Sequence, residues 1–390
     1  MGLRARPLPQ VALDCSAFYP ESGGQPADRG TLCAPGAPAI PVVDVQEDED
    51  GVIWHTLDRL PPEWTPGQTV LATIDGVRRL DHMQQHTGQH LLSAILVRDF
   101  GAPTLSFHLG ALTSNIEIGL AELPPEKIET LQETVNREVA ADHPITVRFV
   151  AREEAEALLA AGSLRKLPPR GGEIRLIEIA GCDCNACGGT HVGSTGAIGG
   201  VLLRGIERLR GGVRLEFVCG LRAARAARRD FETLAQLSQT LSVAPALVPD
   251  AVERLGQEAR SSSRAMRKLE EELAAVEAAQ LVAAVPEIAG RRLVEKAVER
   301  GPDYAKLLAS RVAGAAPRTL AAVSANSGPN VRLYLVRSPE LDLHCGAVLK
   351  ECLAAVGGRG GGTPDAAQGE CPSPQVAAVR AALRQRLGAE

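Results

Sequence analysis

A compact cysteine–histidine motif restricts the fold of this chain more than any other feature of its sequence. Residues 184–191 read CNACGGTH, so Cys187 and His191 stand four positions apart, separated by two glycines and a threonine. A thiolate and an imidazole at this spacing are typical metal ligands, but they supply only half of a tetrahedral set. The fold must therefore bring a second pair of ligands from elsewhere in the chain to this loop.

The segment HMQQH at the start of a predicted helix offers the second pair. His82 and His86 are four residues apart, so on a helix both imidazoles share one face and can reach one ion. Together with Cys187 and His191 they form a set of three nitrogens and one sulfur, for which zinc is the first choice. The sequence thus predicts one zinc ion per chain, and the two glycines allow the CNACGGTH loop to approach it closely.

Other ligand sets remain open from the residues alone. His90 continues the same helical face, so His86 with His90 is an alternative pair. His82 and His90 lie ~12 Å apart along a helix and cannot bind the same ion. Either Cys182 or Cys184 could replace a histidine in a closed, knuckle-like site. Packed histidines and buried thiols without a metal are the remaining interpretation.

Composition limits the class of protein and the number of domains. A chain of 390 residues is too long for one core, so two or three domains are expected. The nine cysteines, three of them within residues 182–187, favour a reducing compartment and a metal over a disulfide framework. The N-terminus lacks an apolar signal core, and no apolar run reaches the ~18 residues of a membrane span. We therefore predict a cytoplasmic protein.

Hydrophobic patterning predicts an α+β chain in four segments. Short strands punctuated by glycine and proline favour a small antiparallel β-barrel, or alternatively a sandwich, at residues 1–75. Mixed patterns predict an α+β metal-binding domain at 76–220. Residues 221–285 are predicted as a helical, coiled-coil-like linker, and residues 286–390 as an α/β domain. The heptad seam at residues 252–276 fits a helix packed on its own domain, a helical hairpin or a dimer-forming coil.

Four stretches of the sequence resemble one known family. They are FYPESGGQPADRG (18–30), DHMQQHTGQHLLSA (81–94), CNACGGTHVGSTGAIG (184–199) and GGRGGGTPDAAQG (357–369). The first three resemble the editing domain of alanyl-tRNA synthetase and, still more, its free-standing relatives, the AlaX alanyl-tRNA editing proteins. The fourth resembles the DHH-associated domain at the C-terminus of these synthetases and of the long AlaX form, so the resemblance spans essentially the whole chain.

The resemblance implies an activity. It predicts a zinc-dependent deacylase that hydrolyses Ser-tRNA(Ala), with Gly-tRNA(Ala) as a further substrate to test. Mischarged tRNA(Ala) is then the partner. The chain begins close to the first motif, without room for the class II aminoacylation domain. We therefore expect hydrolysis in trans rather than charging.

The resemblance also implies roles for individual residues. The family's zinc ligands correspond to His82, His86, Cys187 and His191. Its glycine motif corresponds to Gly23, Gly24 and Gln25, and Ser16 stands where the family has a threonine in the preceding strand. A pocket that must hydrogen-bond the serine hydroxyl can reject alanine by as much as ~10⁴. Ser16 and Gln25 are the first candidates for that polar group, and Thr87 is the next; no general base is identified.

Contacts to tRNA are predicted at two places. Because the net charge is −5, nucleic-acid binding requires a local basic surface, and eight arginines in residues 204–229 offer one. The glycine run at 357–362 allows backbone amides to approach phosphate, although it lacks the Lys-Ser/Thr ending of a P-loop. The predicted tRNA-binding residues are Arg204, Arg208, Arg210, Arg214, Gly358, Arg359, Gly360 and Gly361.

Two other classes of function and one assembly remain open. The first class is a non-catalytic tRNA-binding protein with structural zinc, because four protein ligands ordinarily close a zinc site. The second is a phosphoesterase acting on oligonucleotides, suggested by the C-terminal domain alone. That class has an Asp-His-His motif, which the sequence Asp81-His82-Met83 breaks. A homodimer through residues 252–276 or through the C-terminal domain is the open assembly.

Overall fold

The computed structural model describes residues 8–162, 164–168 and 172–387. The chain divides into two units, Met1–Leu237 and Ser238–Glu390, and both contain helices and sheets. The mixed α+β class predicted from the sequence is confirmed. No helix in the described ranges is both long enough and apolar enough to cross a membrane.

The first unit begins with an antiparallel sheet. Its strands are β1 (Gln10–Ala12), β2 (Gly30–Cys33), β3 (Ile40–Glu47), β4 (Ile53–Leu57) and β5 (Leu71–Ile74). Phe18, Leu32 and Val45 belong to its buried core. The spatial order is β1-β4-β3-β2-β5, so β1 and β5 are the two edges within the part of the chain that the structure describes. Strands β2 to β5 match the predicted short strands, β1 was not predicted, and the closed barrel is not confirmed.

A long helix and two further antiparallel sheets complete this unit. The elements are α1 (Gly76–Phe100), β6 (Thr104–Leu109), β7 (Ser114–Ile118), α2 (Pro125–Ala140), β8 (Ile145–Val150), α3 (Arg152–Ala160), β9 (Ile174–Ile179), β10 (Asp183–Ala186), β11 (Val201–Leu209), β12 (Gly212–Cys219) and α4 (Gly220–Leu241), which crosses the unit boundary. The sheets run β10-β9-β8 and β11-β12-β7-β6. Patterning located most of these elements, but not β10 or β11.

Helix α1 is fixed at both ends. The Asp75 side chain accepts hydrogen bonds from the backbone N–H groups of Val77 and Arg78, which are unpaired at a helix start. Gly101 ends the helix in the left-handed conformation, at φ 61°. The last turns of α1 bury aliphatic side chains such as Leu91 in the main core of the unit. The helix is therefore anchored firmly enough to present its polar middle turns in a defined direction.

The second unit contains a long helix and a mixed sheet. Its elements are α5 (Val248–Ala284), β13 (Arg292–Val298), α6 (Pro302–Ala315), β14 (Thr319–Ser327), β15 (Asn330–Arg337), α7 (Cys345–Ala354), β16 (Arg359–Gly362), β17 (Ala366–Pro372) and α8 (Val376–Leu387). The order is β13-β14-β15-β17-β16; β13 and β14 are parallel and are joined by α6, while the other pairs are antiparallel.

The predicted heptad seam lies on α5. Three of its members, Val252, Met266 and Leu269, are 53%, 61% and 60% exposed. Ala274 and Ala278 are instead buried with side chains of α6. The helix is confirmed; the coiled coil and the homodimer stay predictions.

The last four residues of the glycine run, Arg359–Gly362, form the edge strand β16. A Cβ on Gly360 would lie 2.5 Å from Leu353 Cδ1 of α7, and one on Gly362 would lie 2.2 Å from the Ala366 carbonyl oxygen. These two positions thus need glycine so that α7 and β17 can approach. Gly361 faces open space, and a Cβ there would meet nothing within 4 Å. A phosphate contact by this strand stays a prediction.

Candidate metal centre

The middle of α1 is polar and nevertheless buried. His86 and His90 are 2% and 7% exposed, and the side chains between them are buried as well. Burying a polar group is costly unless it finds a hydrogen bond or a ligand. These helical turns therefore require partners on the elements that face them. The loop after β10, which carries Cys187 and His191, supplies them.

Four side chains converge on one point. The ligand atoms of His86, His90, Cys187 and His191 lie within 4.8 Å of one another. Cys187 Sγ is 3.5 Å from His86 Nε2 and 3.4 Å from His191 Nε2. A tetrahedral zinc ion with bonds of ~2.0–2.3 Å separates its ligand atoms by roughly 3.3–3.8 Å. Donor types and spacing thus fit one such ion.

His82 is not part of this group. It is buried one helical turn before His86, and its Nδ1 has no hydrogen-bond partner among the described residues. The sequence predicted His82 with His86, whereas the structure puts His86 and His90 opposite Cys187. The reason is physical: the four-residue spacing allows either neighbour of His86, and the position of the cysteine loop selects the later one. His90 therefore replaces His82 in the candidate ligand set.

Two residues that were predicted to bind substrate instead hydrogen-bond the Nδ1 atoms of two of these histidines. His86 Nδ1 lies 2.8 Å from Gln25 Oε1, and His191 Nδ1 lies 3.2 Å from Thr87 Oγ1. Gln25 Oε1 also accepts from the Thr190 backbone N–H at 3.1 Å. Hydrogen bonds of this kind at Nδ1 fix the ring and leave Nε2 for a metal. Gln25 and Thr87 are thus positioning residues of the candidate centre.

Asp183 holds the third histidine, although no motif in the sequence pointed to it. Its Oδ2 lies 3.3 Å from His90 Nδ1, and its Oδ1 accepts from Arg165 Nη2 at 2.6 Å. The signal was present as a carboxylate between two cysteines, Cys182 and Cys184. Those cysteines are half-buried and lie outside the four-residue cluster.

The electrostatics of the cluster suit cation binding. Burial raises the pKa of the Cys187 thiol, but hydrogen bonds from His191, His86 and His90 outweigh it and lower that pKa to about 2. Burial lowers the pKa of His90, but bonds to Asp183 and Cys187 raise it to about 9. Burial lowers the pKa of His191 to about 3 and lowers that of His86 as well. The lowered pKa values of Cys187, His86 and His191 favour the deprotonated forms that bind a metal, whereas an ion at the cluster has to displace the proton that the raised pKa of His90 favours.

Only one of the two glycines between Cys187 and His191 lies where a side chain would not fit. A Cβ on Gly189 would lie 2.1 Å from His86 Cε1 and 3.1 Å from Gln25 Oε1. A Cβ on Gly188 would meet nothing within 4 Å. The absence of a side chain at Gly189 therefore allows the loop to close on the imidazole.

A cleft of about 550 Å³ opens beside the cluster. Gly23 and Gly24 line it, both in the left-handed conformation at φ 56° and 81°. Three hydroxyl and amide side chains of its wall are linked: Gln89 Nε2 donates to Ser93 Oγ at 2.7 Å, and Ser93 Oγ lies 2.8 Å from Thr104 Oγ1. The cleft thus joins three of the candidate metal ligands, a backbone turn and a polar wall.

Ser16 lies elsewhere. Its hydroxyl is 2.7 Å from His55 Nε2 and accepts from the Phe18 backbone N–H at 3.1 Å. It is not among the cleft-lining residues of the described chain. Ser16 therefore lies in the connection between β1 and β2, against His55 of β4, in the chain segment that leads to the glycine motif.

The predicted tRNA-binding arginines are largely paired with acidic side chains. Arg204 pairs with Asp230, Arg208 with Glu122, and Arg214 with both Glu117 and Glu207. Arg210 lies in the turn between β11 and β12, and Arg359 is the exposed first residue of β16. The intramolecular ion pairs offset much of the basic charge on the β11–β12 hairpin, so a tRNA role for it stays a prediction.

Three protein-family models match separate parts of the chain. The model of class II (A) tRNA synthetases matches residues 6–78, and the threonyl and alanyl tRNA synthetase second additional domain matches residues 174–216. The DHHA1 domain matches residues 293–389. The second of these ranges contains the Cys187–His191 loop, while the histidines of α1 lie between the first and the second.

Curated relatives are similar along nearly the whole chain. Alanine–tRNA ligase of Pyrococcus abyssi is 31% identical over 92% of this chain and 39% of its own length. The Methanothrix thermoacetophila enzyme is 31% identical over 97% and 41%, and that of Natronomonas pharaonis 35% identical over 93% and 38%. The chain thus spans about two fifths of the length of these relatives.

A solved structure adds a weaker likeness. The C-Ala domain of Aquifex aeolicus alanyl-tRNA synthetase covers 26% of this chain and 95% of its own, at 20% identity and a TM-score of 0.24. The motifs, the three family models and the long alignments to alanine–tRNA ligases carry the assignment without it. Together they identify the chain as an AlaX-like protein, related to the editing and C-terminal domains of alanyl-tRNA synthetase.

Proposed function

We propose that this protein hydrolyses serine from mischarged Ser-tRNA(Ala) in trans, as a zinc-dependent aminoacyl-tRNA deacylase. One observation carries the proposal: His86, His90, Cys187 and His191 converge beside a cleft that the glycine motif also lines. The family models and the alanine–tRNA ligase relatives support a substrate on tRNA(Ala).

The zinc ion would be held by the Nε2 atoms of His86 and His191, by Cys187 Sγ and by His90. When bound, it supplies Lewis-acid polarisation of the ester carbonyl or purely structural order in the cleft. Gln25 and Thr87 keep two rings oriented through Nδ1. Asp183 keeps the third in place.

The chain's own groups supply position and selectivity. An aminoacyl ester is already activated, so catalysis needs mainly orientation and charge stabilisation. The cleft brings backbone amides of the glycine motif and the linked side chains of Gln89, Ser93 and Thr104 to the same space as the ligands. We propose that this polar wall, in place of Ser16, hydrogen-bonds the serine hydroxyl, which alanine lacks.

Deacylation assays test the proposal directly. Purified protein should release serine from Ser-tRNA(Ala), should spare Ala-tRNA(Ala), and should lose activity with a strong chelator. Gly-tRNA(Ala) is measured in parallel to establish the substrate range. Unchanged activity in metal-free protein would contradict the zinc dependence.

A pair of variants on one helix face tests the ligand set. His90→Ala should lower zinc content and slow deacylation by at least ~10²-fold, because a ligand is lost. His82→Ala is the matched control, since His82 is a buried histidine of the same helix outside the cluster. If His82→Ala loses the zinc and His90→Ala keeps it, the sequence-derived ligand set is right and the geometric one is wrong.

A second candidate function rests on the same geometry. Four protein ligands ordinarily close a zinc site, which favours a structural ion in a non-catalytic tRNA-binding protein. That protein would bind tRNA(Ala) and bind zinc but release no amino acid in the deacylation assay.

A further inference from the structure

A second group of metal-ligand side chains lies in the first unit, away from the four-residue cluster. Glu138 of α2, His143 of the following loop and Cys182 of the turn before β10 place one ligand atom each within 4.8 Å of one another. We propose that this triad is a second divalent transition-metal site, with zinc as its expected ion. The family resemblance assigns no role to any of the three.

The distances are close to those around one ion. His143 Nε2 lies 2.9 Å from Glu138 Oε2, and Cys182 Sγ lies 3.8 Å from the same oxygen. The longer separation lies at the upper end of the roughly 3.3–3.8 Å between ligand atoms of a tetrahedral zinc ion. The shorter one is a hydrogen-bond distance, so His143 and Glu138 have to move apart to admit an ion. Carboxylate, imidazole and thiolate are all zinc ligands, and three protein ligands leave one position for solvent. The Glu138 and His143 side chains are 21% and 28% exposed, so an ion can enter.

The local charge also permits a cation. Arg98 donates to Glu138 Oε1 at 2.9 Å, which leaves the other carboxylate oxygen toward His143 and Cys182. Both oxygens of Asp99 in turn accept from Arg98, at 2.7 and 2.9 Å. The carboxylates of Glu138 and Asp99 thus share the one guanidinium of Arg98, and these three side chains together carry a net negative charge.

The backbone beneath the triad is held in place. The buried Thr195 hydroxyl donates to the Glu138 carbonyl and accepts from the His143 N–H, both at 2.8 Å. Asp142, directly before His143, adopts a left-handed backbone at φ 54°, and its side chain accepts from the Gly196 N–H at 3.0 Å. Aspartate adopts this conformation more readily than most residues with a side chain, and the hydrogen bond to Gly196 holds it here. The loop is therefore preorganised to keep His143 against Glu138.

The consequence for the protein is local. Cys182 precedes Asp183, whose carboxylate contacts His90 in the four-residue cluster. An ion at the triad would tie the turn before β10 to α2, and so would stiffen the segment that carries Asp183.

Metal titration of the full chain tests the site. Metal-free protein is equilibrated with buffered Zn²⁺ at rising free concentration, and bound zinc is measured by mass spectrometry. We expect a tight class of sites and a weaker second class in the wild type. Cys182→Ser and Glu138→Gln should weaken only the second class, by at least tenfold, and should leave the first class and the circular dichroism unchanged.

Cys184→Ser is the matched control, because this thiol is also half-buried and lies two residues away but outside the triad. It should keep both classes. The wild type should gain melting temperature on filling the second class, and Cys182→Ser should not. A single class in the wild type, or a second class that survives Cys182→Ser, would overturn the proposal; the triad would then be an ion pair and hydrogen bonds only.

Discussion

Replacing Gly189 by alanine probes how closely the cysteine loop fits the histidine helix. The added Cβ would lie 2.1 Å from His86 Cε1 and 2.3 Å from His86 Nδ1, whereas ordinary contact begins at 3.4 Å. The imidazole or the loop must therefore move by roughly 1 Å, about twice the ~0.5 Å within which a functional constellation has to be held. The hydrogen bond from His86 to Gln25 would be lost with this movement.

The size of the effect follows from these contacts. Loss of an outer partner of a ligating histidine typically weakens metal binding by ~10–100-fold, and displacement of the ring itself adds to that. We therefore expect Gly189→Ala to bind zinc at least ~10-fold more weakly, which is about 1.4 kcal/mol. Overpacking should also lower the stability of the first unit by ~1–3 kcal/mol.

A competition assay with a chromophoric chelator measures the change, and the neighbouring glycine is its control. Gly188→Ala has the same chemistry one residue away, but its Cβ meets nothing within 4 Å. Neither Gly188 nor Gly189 is in the left-handed region, so alanine itself strains neither backbone. Gly188→Ala should keep wild-type zinc affinity. Equal zinc affinity in both variants would refute the argument that His86 is a ligand packed against this loop.

Three further predictions concern stability. Burial lowers the pKa of His82 to about 4 from 6.5, so the folded state binds this proton less readily and stability falls as pH drops from 6.5 towards 4. His82→Leu should remove up to about 3 kcal/mol of that loss, measured by urea unfolding at several pH values; an unchanged pH slope would contradict it. Asp28 is fully buried against Arg79, so Asp28→Ala should cost about 3 kcal/mol or more in unfolding free energy, and a near-neutral effect would show that the pair is dispensable. Gly360→Ala should lower the melting temperature of the second unit while Gly361→Ala leaves it nearly unchanged, and equal effects would contradict the packing of β16.

The sequence predicted the element types well where periodicity or turn chemistry was strong. Helix α1 and the short strands β2 to β5 lie where patterning put them, whereas the three-residue strand β1 was not predicted. Strand β16 was missed because four residues of arginine and glycine carry no hydrophobic alternation. Their strand conformation comes from β17 and from the close approach of α7.

The candidate site shows a different limit. Spacing proposes His86, Cys187 and His191 as ligands, and the structure brings these three together, but local geometry treats His82 and His90 alike because both are one helical turn from His86. Which of the two histidines joins His86 depends on where the loop after β10 meets α1, and only the tertiary structure determines that. The resemblance predicts Ser16 as a substrate-binding residue from its position along the chain. Its hydrogen-bond partner His55 is 39 residues away, so local sequence could not reveal this contact.

The separation of the ligands along the chain also sets the order of events during synthesis. His86 and His90 leave the ribosome about a hundred residues before Cys187 and His191, and β8, α3 and β9 are made in between. A nascent chain that ends before residue 187 cannot close the four-ligand centre, however well α1 has formed. Because metal affinity is coupled to folding through long-range contacts, zinc capture should mark the completion of the first unit and not its start.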